Sequence, residues 1–402
     1  MDSVENYLSE ILAAIRPVPP AELSLTDAQG SVLAADVTAA WPLPGFDSSG
    51  MDGYAVRSAD VASASTSSPV TLPVDYEIAA GDTAEHTVVP GHCAKIMTGA
   101  LFPAGADAVV PVEWTDGGET TVRISQSAGP GHSVRRAGDD ALPGDLLLPA
   151  GTRLGPAQIG VLAAAGHGTV QARRRPRAIV ISTGNELAEP GQPLVPGRIW
   201  DSNSYMLAAA ARQAGCETTR HPTLKDDQES VLAAIENAAA AADLLITSGG
   251  VSMGGEHDVV KAALSKLGTV TFRKVAIQPG MPQGFGLVGS CATPIFTLPG
   301  NPVSAFVSFH LFVMPAVRAL QNLPAKLDAP RQARLTQPVR SPAGRRSFLR
   351  GILDPDAGAV TPLTGQSSHQ IASLARANAL IVVPEPATSL TAGDTVEILE
   401  LP

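Results

Sequence analysis

At 402 residues the chain exceeds one ordinary hydrophobic core, and a typical domain size predicts about two to four folding units. Hydrophobic residues make up 44% and charged residues 16%, a balance that excludes a largely disordered protein. The formal net charge is −10 without a dense Lys/Arg block, which argues against nucleic acids and acidic membranes as partners. Cys93, Cys216 and Cys291 are scattered, so neither a zinc site nor a disulfide framework is indicated, and a reducing compartment fits best.

The amino terminus predicts a short amphipathic helix over residues 2–15, because Val4, Leu8, Ile11 and Ile15 recur at helical spacing. Its acidic start differs from a secretory signal, which begins with basic residues. The most apolar span, residues 305–317, is shorter than the roughly 20 residues that cross a bilayer. We therefore expect a soluble, cytoplasmic protein.

Residues 22–172 predict a β-rich half, because short β-branched runs such as VTLPVDYEI and DAVVPVEW alternate with Gly and Pro. The RRRPR segment, residues 173–177, is the one basic cluster. Since no basic or aromatic neighbours extend it, we interpret it as a solvated segment before a strand rather than a nucleic-acid patch.

From about residue 177, strand runs such as RAIVIS, DLLITS and PIFTL alternate with helical segments, which predicts a parallel α/β domain. Helix start signals are Ser202 with Asn203, Asp226 with Asp227, and Asn301 with Pro302. Pro315 is expected to kink or end the last helix. After about residue 325 the strand pattern returns, which predicts a small carboxy-terminal β domain.

Polar, glycine-rich loops follow three of the predicted parallel strands, at residues 183–186, 248–258 and 299–304. Ligands of open α/β sheets bind beyond the carboxyl ends of the strands, so we expect the three loops to converge on one rim. Glycines let the backbone approach an anionic ligand, and the helix that begins at Pro302 offers unpaired amides to an oxyanion. Candidate substrate-binding residues on these loops are Ser182, Thr183, Gly184, Gly249, Gly250, Ser252, Pro299, Gly300 and Asn301.

Several carboxylates stand next to turn signals: Asp52, Asp139, Asp140, Glu186, Asp226, Asp227 and Asp258. Any one of them is most simply a helix cap or a solvated turn residue. As a group that handles an anionic substrate, they would need a cation, and Mg²⁺ held by carboxylates and ligand phosphate is the natural choice.

Common nucleotide and hydrolase motifs are absent from the sequence. It has no GxxxxGK[ST] loop, no dinucleotide fingerprint and no GxSxG elbow. Ordinary NTPase, dehydrogenase and hydrolase functions are therefore poorly supported.

Seven ordered segments resemble the molybdopterin molybdotransferase family, which includes MoeA and the gephyrin E-domain. They are PGFDSSGMDGYAV (44–56), KIMTGALFPAGADAVVPVE (95–113), VRRAGDD (134–140), STGNEL (182–187), DSNS (201–204), TSGGVSMG (247–254) and LPGNPVS (298–304). The resemblance covers nearly the whole chain.

The resemblance implies an elongated fold with α/β and all-β parts. A composite domain I would span residues 1–45 and 143–176, and a β-rich inserted domain II would span 46–142. A molybdopterin-binding-like α/β domain III would span 177–325, and a β-barrel-like domain IV would span 326–402. It also implies a homodimer with a cleft between domain III of one subunit and domain II of the other.

The resemblance further implies roles for individual residues. Glu186, Asp227 and Asp258 would be cleft acids and tentative Mg²⁺ ligands, with Asp52, Thr98 and Asp140 contributed by domain II. Lys274, Arg350 and Ser368 would bind molybdate or substrate. The implied reaction is Mg²⁺-dependent: molybdate enters the dithiolene of adenylylated molybdopterin, and AMP leaves.

The sequence departs from the family where a KPGKP motif is usual, because Gln278 and Met281 replace its two lysines. Asn185 also stands where Asp is common, and the loop over 249–258 is one residue longer than usual. These changes leave open a gephyrin-like scaffold that binds a receptor or cytoskeletal protein. Such a partner would use a groove between domains III and IV, near 309–313 and 326–350.

Overall fold

The computed structural model describes residues 1–249, 259–326 and 330–401, and the chain divides into two compact units. Unit 1 comprises Met1–Leu23, Gly30–Val32 and Gln171–Pro402, and unit 2 comprises Ser24–Gln29 and Leu33–Val170. Unit 2 is thus an insertion into unit 1. The four-domain division is finer than these two units, and its bounds stay a prediction.

The predicted amino-terminal helix is present as α1 (Val4–Ala14) in unit 1. The Ser3 side chain caps it by accepting a hydrogen bond from the Asn6 N–H at 3.1 Å. On its apolar side, the Tyr7 ring meets the Phe312 ring edge-on at a centroid distance of 5.0 Å. Burial of this side makes α1 part of the same core as the α/β elements.

Short strands and one helix fill the next part of the chain, as the β-rich pattern predicts. They are β1 (Ala21–Ser24), β2 (Val32–Leu33), β3 (Val37–Thr38), β4 (Ser48–Ser49), β5 (Gly53–Val56), β6 (Val70–Ile78), β7 (Cys93–Ile96), β8 (Ala108–Pro111), β9 (Thr121–Ile124), β10 (Val134–Arg135), β11 (Leu146–Leu148), α2 (Pro156–Ala164) and β12 (Thr169–Arg173).

The central sheet of unit 2 has five strands in the order β8-β5-β7-β6-β9. Successive residues of its strands point to opposite faces, and both faces are covered. Tyr54 and Val56 pack into one core, whereas Ala55 packs into a second core with Val109. This double burial explains why β5 and β8 are apolar throughout.

The α/β part of unit 1 follows. Its elements are β13 (Arg177–Ser182), β14 (Leu187–Ala188), β15 (Ile199–Trp200), α3 (Asn203–Gln213), β16 (Glu217–Arg220), α4 (Gln228–Ala241), β17 (Leu244–Ser248), α5 (Val259–Leu267), β18 (Val270–Lys274), β19 (Ile277–Gln278), β20 (Pro282–Val288), β21 (Thr293–Leu298), α6 (Pro302–Ser308) and α7 (Met314–Leu320). A six-stranded sheet runs in the order β16-β13-β17-β21-β20-β18. The first four strands are parallel, as predicted, and β20 and β18 add an antiparallel edge.

The last helix of the α/β part continues through Pro315 instead of ending there. A π-helical segment, Phe309–Val313, joins α6 to α7 just before the proline. A wider turn of this kind accommodates the missing proline N–H. The run Pro302–Leu320 is apolar and long enough to cross a membrane, but 72% of its most apolar window is buried inside the protein. Such burial is typical of a core helix.

The carboxy-terminal part is a β-barrel, as the resemblance implies. Its elements are β22 (Arg331–Leu335), β23 (Val339–Arg340), β24 (Arg346–Asp354), β25 (Ala359–Pro362), α8 (Ile371–Leu374), β26 (Ala379–Val383), β27 (Ser389–Leu390) and β28 (Thr395–Glu400). Five strands run in the order β24-β25-β22-β28-β26, and pairing of β24 with β26 closes the barrel. β19 joins the sheet beside β24, so the barrel and the α/β part share a strand edge.

The basic segment at 173–177 is tied into unit 1 by an aspartate. Arg174 donates two hydrogen bonds to Asp243, at 2.5 and 2.9 Å, and the Arg177 N–H donates a third at 2.7 Å. Burial raises the pKa of Asp243, but these hydrogen bonds and the two arginine charges outweigh it, so the pKa lies below the usual value. Arg174 and Arg177 therefore contribute to the fold through Asp243.

We expect Asp243→Asn to destabilise the protein by about 1–3 kcal/mol at neutral pH, because charge-assisted hydrogen bonds are lost. A carboxylate with a lowered folded-state pKa stabilises the fold above its unfolded pKa, near 4, and this contribution disappears as the pH falls through the folded value. Urea unfolding at pH 7 and near pH 3 checks both points, with exposed Asp356→Asn as the control. An equal loss at both pH values would contradict the assigned ion pair.

Candidate functional site

Three polar loops meet at one end of the α/β sheet of unit 1. β13, β17 and β21 are adjacent and parallel, and their last residues are in register, with Ser182 opposite Ser248 and Ser248 opposite Leu298. The loops that follow therefore start at the same level. We define the rim as the described residues 183–186, 249 and 299–301. Gly250, Ser252 and Asp258 lie outside the described residues.

Backbone geometry at the rim requires glycine at two positions. Gly249 has φ +90°, a conformation that side-chain-bearing residues rarely adopt. A Cβ on Gly184 would stand 2.5 Å from the Glu186 carboxylate. The glycines thus let two loops turn closely above the strand ends, as the sequence pattern suggests.

Asp201, which precedes α3, links the end of β13, the start of α3 and the loop after β16. Its carboxylate is 1% exposed and accepts hydrogen bonds from the Ser182 hydroxyl, from the N–H and hydroxyl of Ser204, and from the Thr223 hydroxyl. The Ser182 hydroxyl therefore donates to a buried carboxylate of the protein and helps to hold the rim in place. Sequence reasoning missed Asp201 as an individual residue; its signal was a polar tetrad, DSNS, directly before a helix.

The acids of unit 1 lie on neighbouring loops. Glu186 and Asn185 follow β13, and the Asn185 N–H donates to Asp226 at 3.1 Å. Asp227 is the N-cap of α4 and accepts a hydrogen bond from the Ser230 N–H at 2.9 Å, and Ser230 lowers the Asp227 pKa. Both Glu186 and Asp227 are exposed carboxylates, as a magnesium site would require.

A complete metal site is not formed by the described residues. Within residues 1–249, 259–326 and 330–401, no three His, Cys, Asp or Glu side chains converge into one. Two exposed carboxylates nevertheless fit the preference of Mg²⁺, which usually takes one or two protein carboxylates and completes its shell with water and phosphate oxygens.

The predicted acids of unit 2 include one well-defined pair. The Asp52 carboxylate accepts hydrogen bonds from the Thr98 N–H and the Thr98 hydroxyl, both at 2.7 Å. These two bonds lower the pKa of Asp52, so the exposed carboxylate stays ionised at neutral pH. Asp140 is also exposed, and its N–H donates to the Leu43 carbonyl at 2.8 Å. The structure thus joins Asp52 to Thr98 and anchors the Asp140 backbone.

Arg350 is a buried cation without a carboxylate partner in the described part of the chain. It is 0% exposed, and its Nη2 donates to the carbonyls of Gly365 and Ser367 at 2.5 and 3.2 Å. Its Nε and Nη1 have no hydrogen-bond partner there, and burial lowers its pKa. Unpaired buried charges are costly, so this arrangement indicates a site that receives an anion.

The loop beneath Arg350 reaches the start of α6. The Ser368 hydroxyl accepts a hydrogen bond from the Asn301 amide at 2.9 Å, and the Ser368 carbonyl accepts from the Val303 N–H at 3.0 Å. Arg350, Ser368 and Asn301 therefore form one connected group. Lys274, the last residue of β18, is exposed in the same unit.

A cavity of about 470 Å³ opens beside the rim. Gly184 and Asn185 line it together with two cationic residues, Arg198 and Lys225. Glu189 also lines it, and its carboxylate is paired with Arg220 at 2.9 Å. The size of the cavity is within the range of small-molecule sites.

We expect Arg350→Met to leave thermal stability within about 1 kcal/mol of the original, because replacing an uncompensated buried charge by a similar apolar side chain is often neutral or favourable. We expect a tetrahedral oxyanion such as molybdate to raise the melting temperature of the unaltered protein, and Arg350→Met should abolish that rise. Differential scanning calorimetry with and without the anion measures both quantities, with exposed Arg340→Met as control. Retention of the anion response would rule out Arg350 as its ligand.

Family models match almost the whole chain. Residues 2–166 match the MoeA N-terminal region (domain I and II), residues 179–319 a probable molybdopterin binding domain, and residues 332–401 the MoeA C-terminal region (domain IV).

Similar proteins agree with these matches. Molybdopterin molybdenumtransferase 2 of Mycobacterium tuberculosis is 46% identical over 407 residues, with 100% of both chains covered. Molybdopterin molybdenumtransferase of Bacillus subtilis is 36% identical, covering 94% of this chain and 89% of the relative. A molybdopterin biosynthesis MoeA protein from Pyrococcus horikoshii has a similar structure, with a TM-score of 0.75, 34% identity, and coverage of 99% and 98%. The chain therefore belongs to the MoeA family of molybdopterin molybdenumtransferases, enzymes of molybdenum cofactor biosynthesis.

Proposed function

We propose that the chain inserts molybdate into adenylylated molybdopterin with release of AMP, in a Mg²⁺-dependent reaction. Family membership supports the reaction class. The observation that carries the proposal is Arg350, a fully buried guanidinium whose Nε and Nη1 have no partner among the described residues. An oxyanion substrate would offset its charge.

The oxyanion end of the proposed site contains Arg350, Ser368 and Asn301, with Lys274 as a second cation. A guanidinium presents several N–H donors in a fixed plane, which suits a tetrahedral oxyanion such as molybdate. The Ser368 hydroxyl, held by the Asn301 amide at 2.9 Å, adds a donor beside it. Arg350 would bind and orient molybdate and hold its charge as the metal passes to the dithiolene.

The adenylyl phosphate end of the proposed site is the rim. Thr183, Gly184, Gly249 and Gly300 bring backbone close to the ligand, because glycines leave room for a phosphate to approach main-chain N–H groups. The 470 Å³ cavity beside Gly184 offers space for the rest of the substrate. The loop geometry would thus hold the leaving AMP by its phosphate.

Mg²⁺, held by Glu186 and Asp227 in this proposal, would neutralise phosphate charge as AMP departs. Asp227 would keep one oxygen on the helix cap and offer the other to the ion. Asp258, the third predicted ligand, lies outside the described residues. In unit 2, Asp52 is fixed as an ionised carboxylate by Thr98 and would act in the same reaction as a hydrogen-bond acceptor.

We also propose that the protein works as a homodimer in the cytoplasm. Unit 1 exposes apolar side chains around β15, with Val195 and Ile199 each 57% exposed and Trp200 48% exposed. Contiguous exposed apolar residues mark surfaces that associate. A second copy of the chain would cover them.

The scaffold alternative receives no specific support from the described residues. Its proposed groove included residues 309–313, but Phe309, Leu311, Phe312 and Val313 are buried in the core of unit 1. A cavity of about 380 Å³ does border Phe309 and His310, between α3 and the end of β28. Nothing there indicates a receptor or cytoskeletal partner, so the transferase proposal is preferred.

We expect purified protein to release AMP from adenylylated molybdopterin only when molybdate and Mg²⁺ are present. Asp52→Ala and Glu186→Ala should each lower the rate by about a hundredfold or more, because each removes a charge that acts on the reacting groups. Release of AMP is measured by chromatography. Glu119→Ala and Glu236→Ala, which change exposed acids in unit 2 and unit 1, are the matched controls.

Unaltered protein that folds but releases no AMP would overturn the transferase proposal and return attention to protein partners. Loss of activity in the two control variants as well would show that general charge, and not the named acids, sets the rate.

Arg345 places a positive charge beside Gln278, where the family usually has a lysine. Its Nη1 donates to the Gln278 side-chain oxygen at 3.2 Å, and Gln278 stands where the family usually has a lysine. β19 pairs in parallel with β24, with Gln278 opposite Ser347, and Arg345 directly precedes β24. Arg350 lies three residues beyond Ser347, about 10 Å along the strand at the usual rise. We therefore propose that Arg345 supplies the charge that Gln278 lacks.

Arg345→Ala should raise the KM for molybdate by about tenfold or more, since one charge-assisted hydrogen bond contributes about 1.5–3 kcal/mol. Adding Gln278→Lys to that variant should restore most of the loss, because the lysine returns the charge to the same place. Steady-state AMP release against molybdate concentration gives both values, and Arg340→Ala controls for removal of an exposed arginine. Absence of rescue would show that Arg345 acts through the fold alone.

A further inference from the structure

We propose that Asn203 is a positioning residue that fixes two rim loops relative to each other for the substrate. It is the first residue of α3, and the sequence predicted it as a helix-start signal but not as a site residue. This inference rests on the proposed function and deepens it, since it names what holds the phosphate-binding loops in place.

The Asn203 amide connects two different loops with one group. Its Nδ2 donates to the Ser248 hydroxyl at 2.8 Å and to the Gly300 carbonyl at 2.6 Å. Ser248 ends β17, and Gly300 lies in the loop after β21. One side chain therefore sets the spacing between two loops that come from separate strands.

Only an amide can make this pair of contacts. The Gly300 carbonyl is an acceptor, so the atom facing it must be a donor, which identifies that side-chain atom as nitrogen. A carboxylate of the same shape would place an oxygen against this carbonyl and repel it. The structural requirement is thus for asparagine rather than for any polar residue.

The oxygen of the Asn203 amide indicates that the side chain is oriented by its donor nitrogen. Asn203 Oδ1 is buried and has no hydrogen-bond partner in the described part of the chain. A buried acceptor left unpaired is unfavourable and calls for a reason. Here the reason is that orienting Nδ2 toward both loops turns Oδ1 away from any donor.

The two loops are held to each other in only one other way among the contacts described. The Gly249 N–H donates to the Leu298 carbonyl at 3.1 Å, at the last strand residue. Gly249 and Gly300 also lie close together, since a Cβ on Gly300 would stand 3.7 Å from Gly249 Cα. Among the hydrogen bonds described, the Asn203 clamp is the one that reaches Gly300. Asp201, two residues earlier, performs the equivalent task for β13 and the loop at Thr223. The start of α3 thus organises the whole sheet end.

The test compares Asn203→Ala and Asn203→Asp with exposed Ser202→Ala, whose side chain makes no cap hydrogen bond. We expect both Asn203 variants to lower kcat/KM for adenylylated molybdopterin by about tenfold, mainly through a higher KM, because the loops lose their spacing. Their KM for molybdate should change little, since Arg350 is untouched. Circular dichroism and melting temperature verify that each variant is folded.

A double-mutant comparison separates positioning from general damage. Ser248→Ala breaks only one of the two clamp bonds and should cause a smaller loss. Asn203→Ala already removes both clamp bonds. The double variant Asn203→Ala with Ser248→Ala should therefore lose no more activity than Asn203→Ala alone, so the two effects on kcat/KM should not multiply.

The outcomes are distinguishable. An unaltered protein that releases no AMP overturns the proposed function, and this inference with it. An active protein in which the Asn203 variants match Ser202→Ala, or in which the two substitutions multiply, overturns this inference alone. If an Asn203 variant fails to fold, Ser248→Ala still tests the clamp. Equal activity of Ser248→Ala and Ser202→Ala would count against it.

Discussion

The register of β13, β17 and β21 determines where every candidate group of the rim lies. Ser182, Ser248 and Leu298 end their strands side by side, so the loops after them begin at one level. Side chains from the start of α3 then fix those loops from beneath. Shifting one strand by a residue would turn each of these end residues to the opposite face, which is why the register constrains the whole site.

Arg350 is a buried charge, which is unfavourable for stability but suited to the proposed binding of an anion. Phe348 and Arg350 are two residues apart on β24 and so lie on the same face, and Phe348 packs into the core that the barrel shares with α6 and α7. The strand period therefore directs Arg350 toward the α/β part and away from solvent. An apolar residue would suit such a position better for packing, and the proposed anion-binding role would account for a guanidinium there.

The sequence predicted the elements whose signals are local. The helical spacing of Val4, Leu8 and Ile11 identified α1, and Asp227 was recognised as a helix-start residue. β20 was not predicted, because glycines interrupt its pattern: a Cβ on Gly284 would stand 2.0 Å from the Thr297 hydroxyl. Asn203 was recognised only as a helix-start residue, because its partners, Ser248 and Gly300, are distant in sequence and no local pattern encodes such a contact. Arg350 and Ser368 were named only through family resemblance.

The net charge of −10 makes local cations decisive for an anionic substrate. Averaged over the molecule, the field repels molybdate and phosphate, but at physiological ionic strength it is screened beyond about 8 Å. Within that distance a buried guanidinium acts with little screening, because water and salt do not reach it. Gln278 and Met281, which stand where the family usually has lysines, are both half-buried. In the proposed site, Arg350 would therefore supply the least screened positive charge, and Arg345, which contacts Gln278 at 3.2 Å, would add a second one.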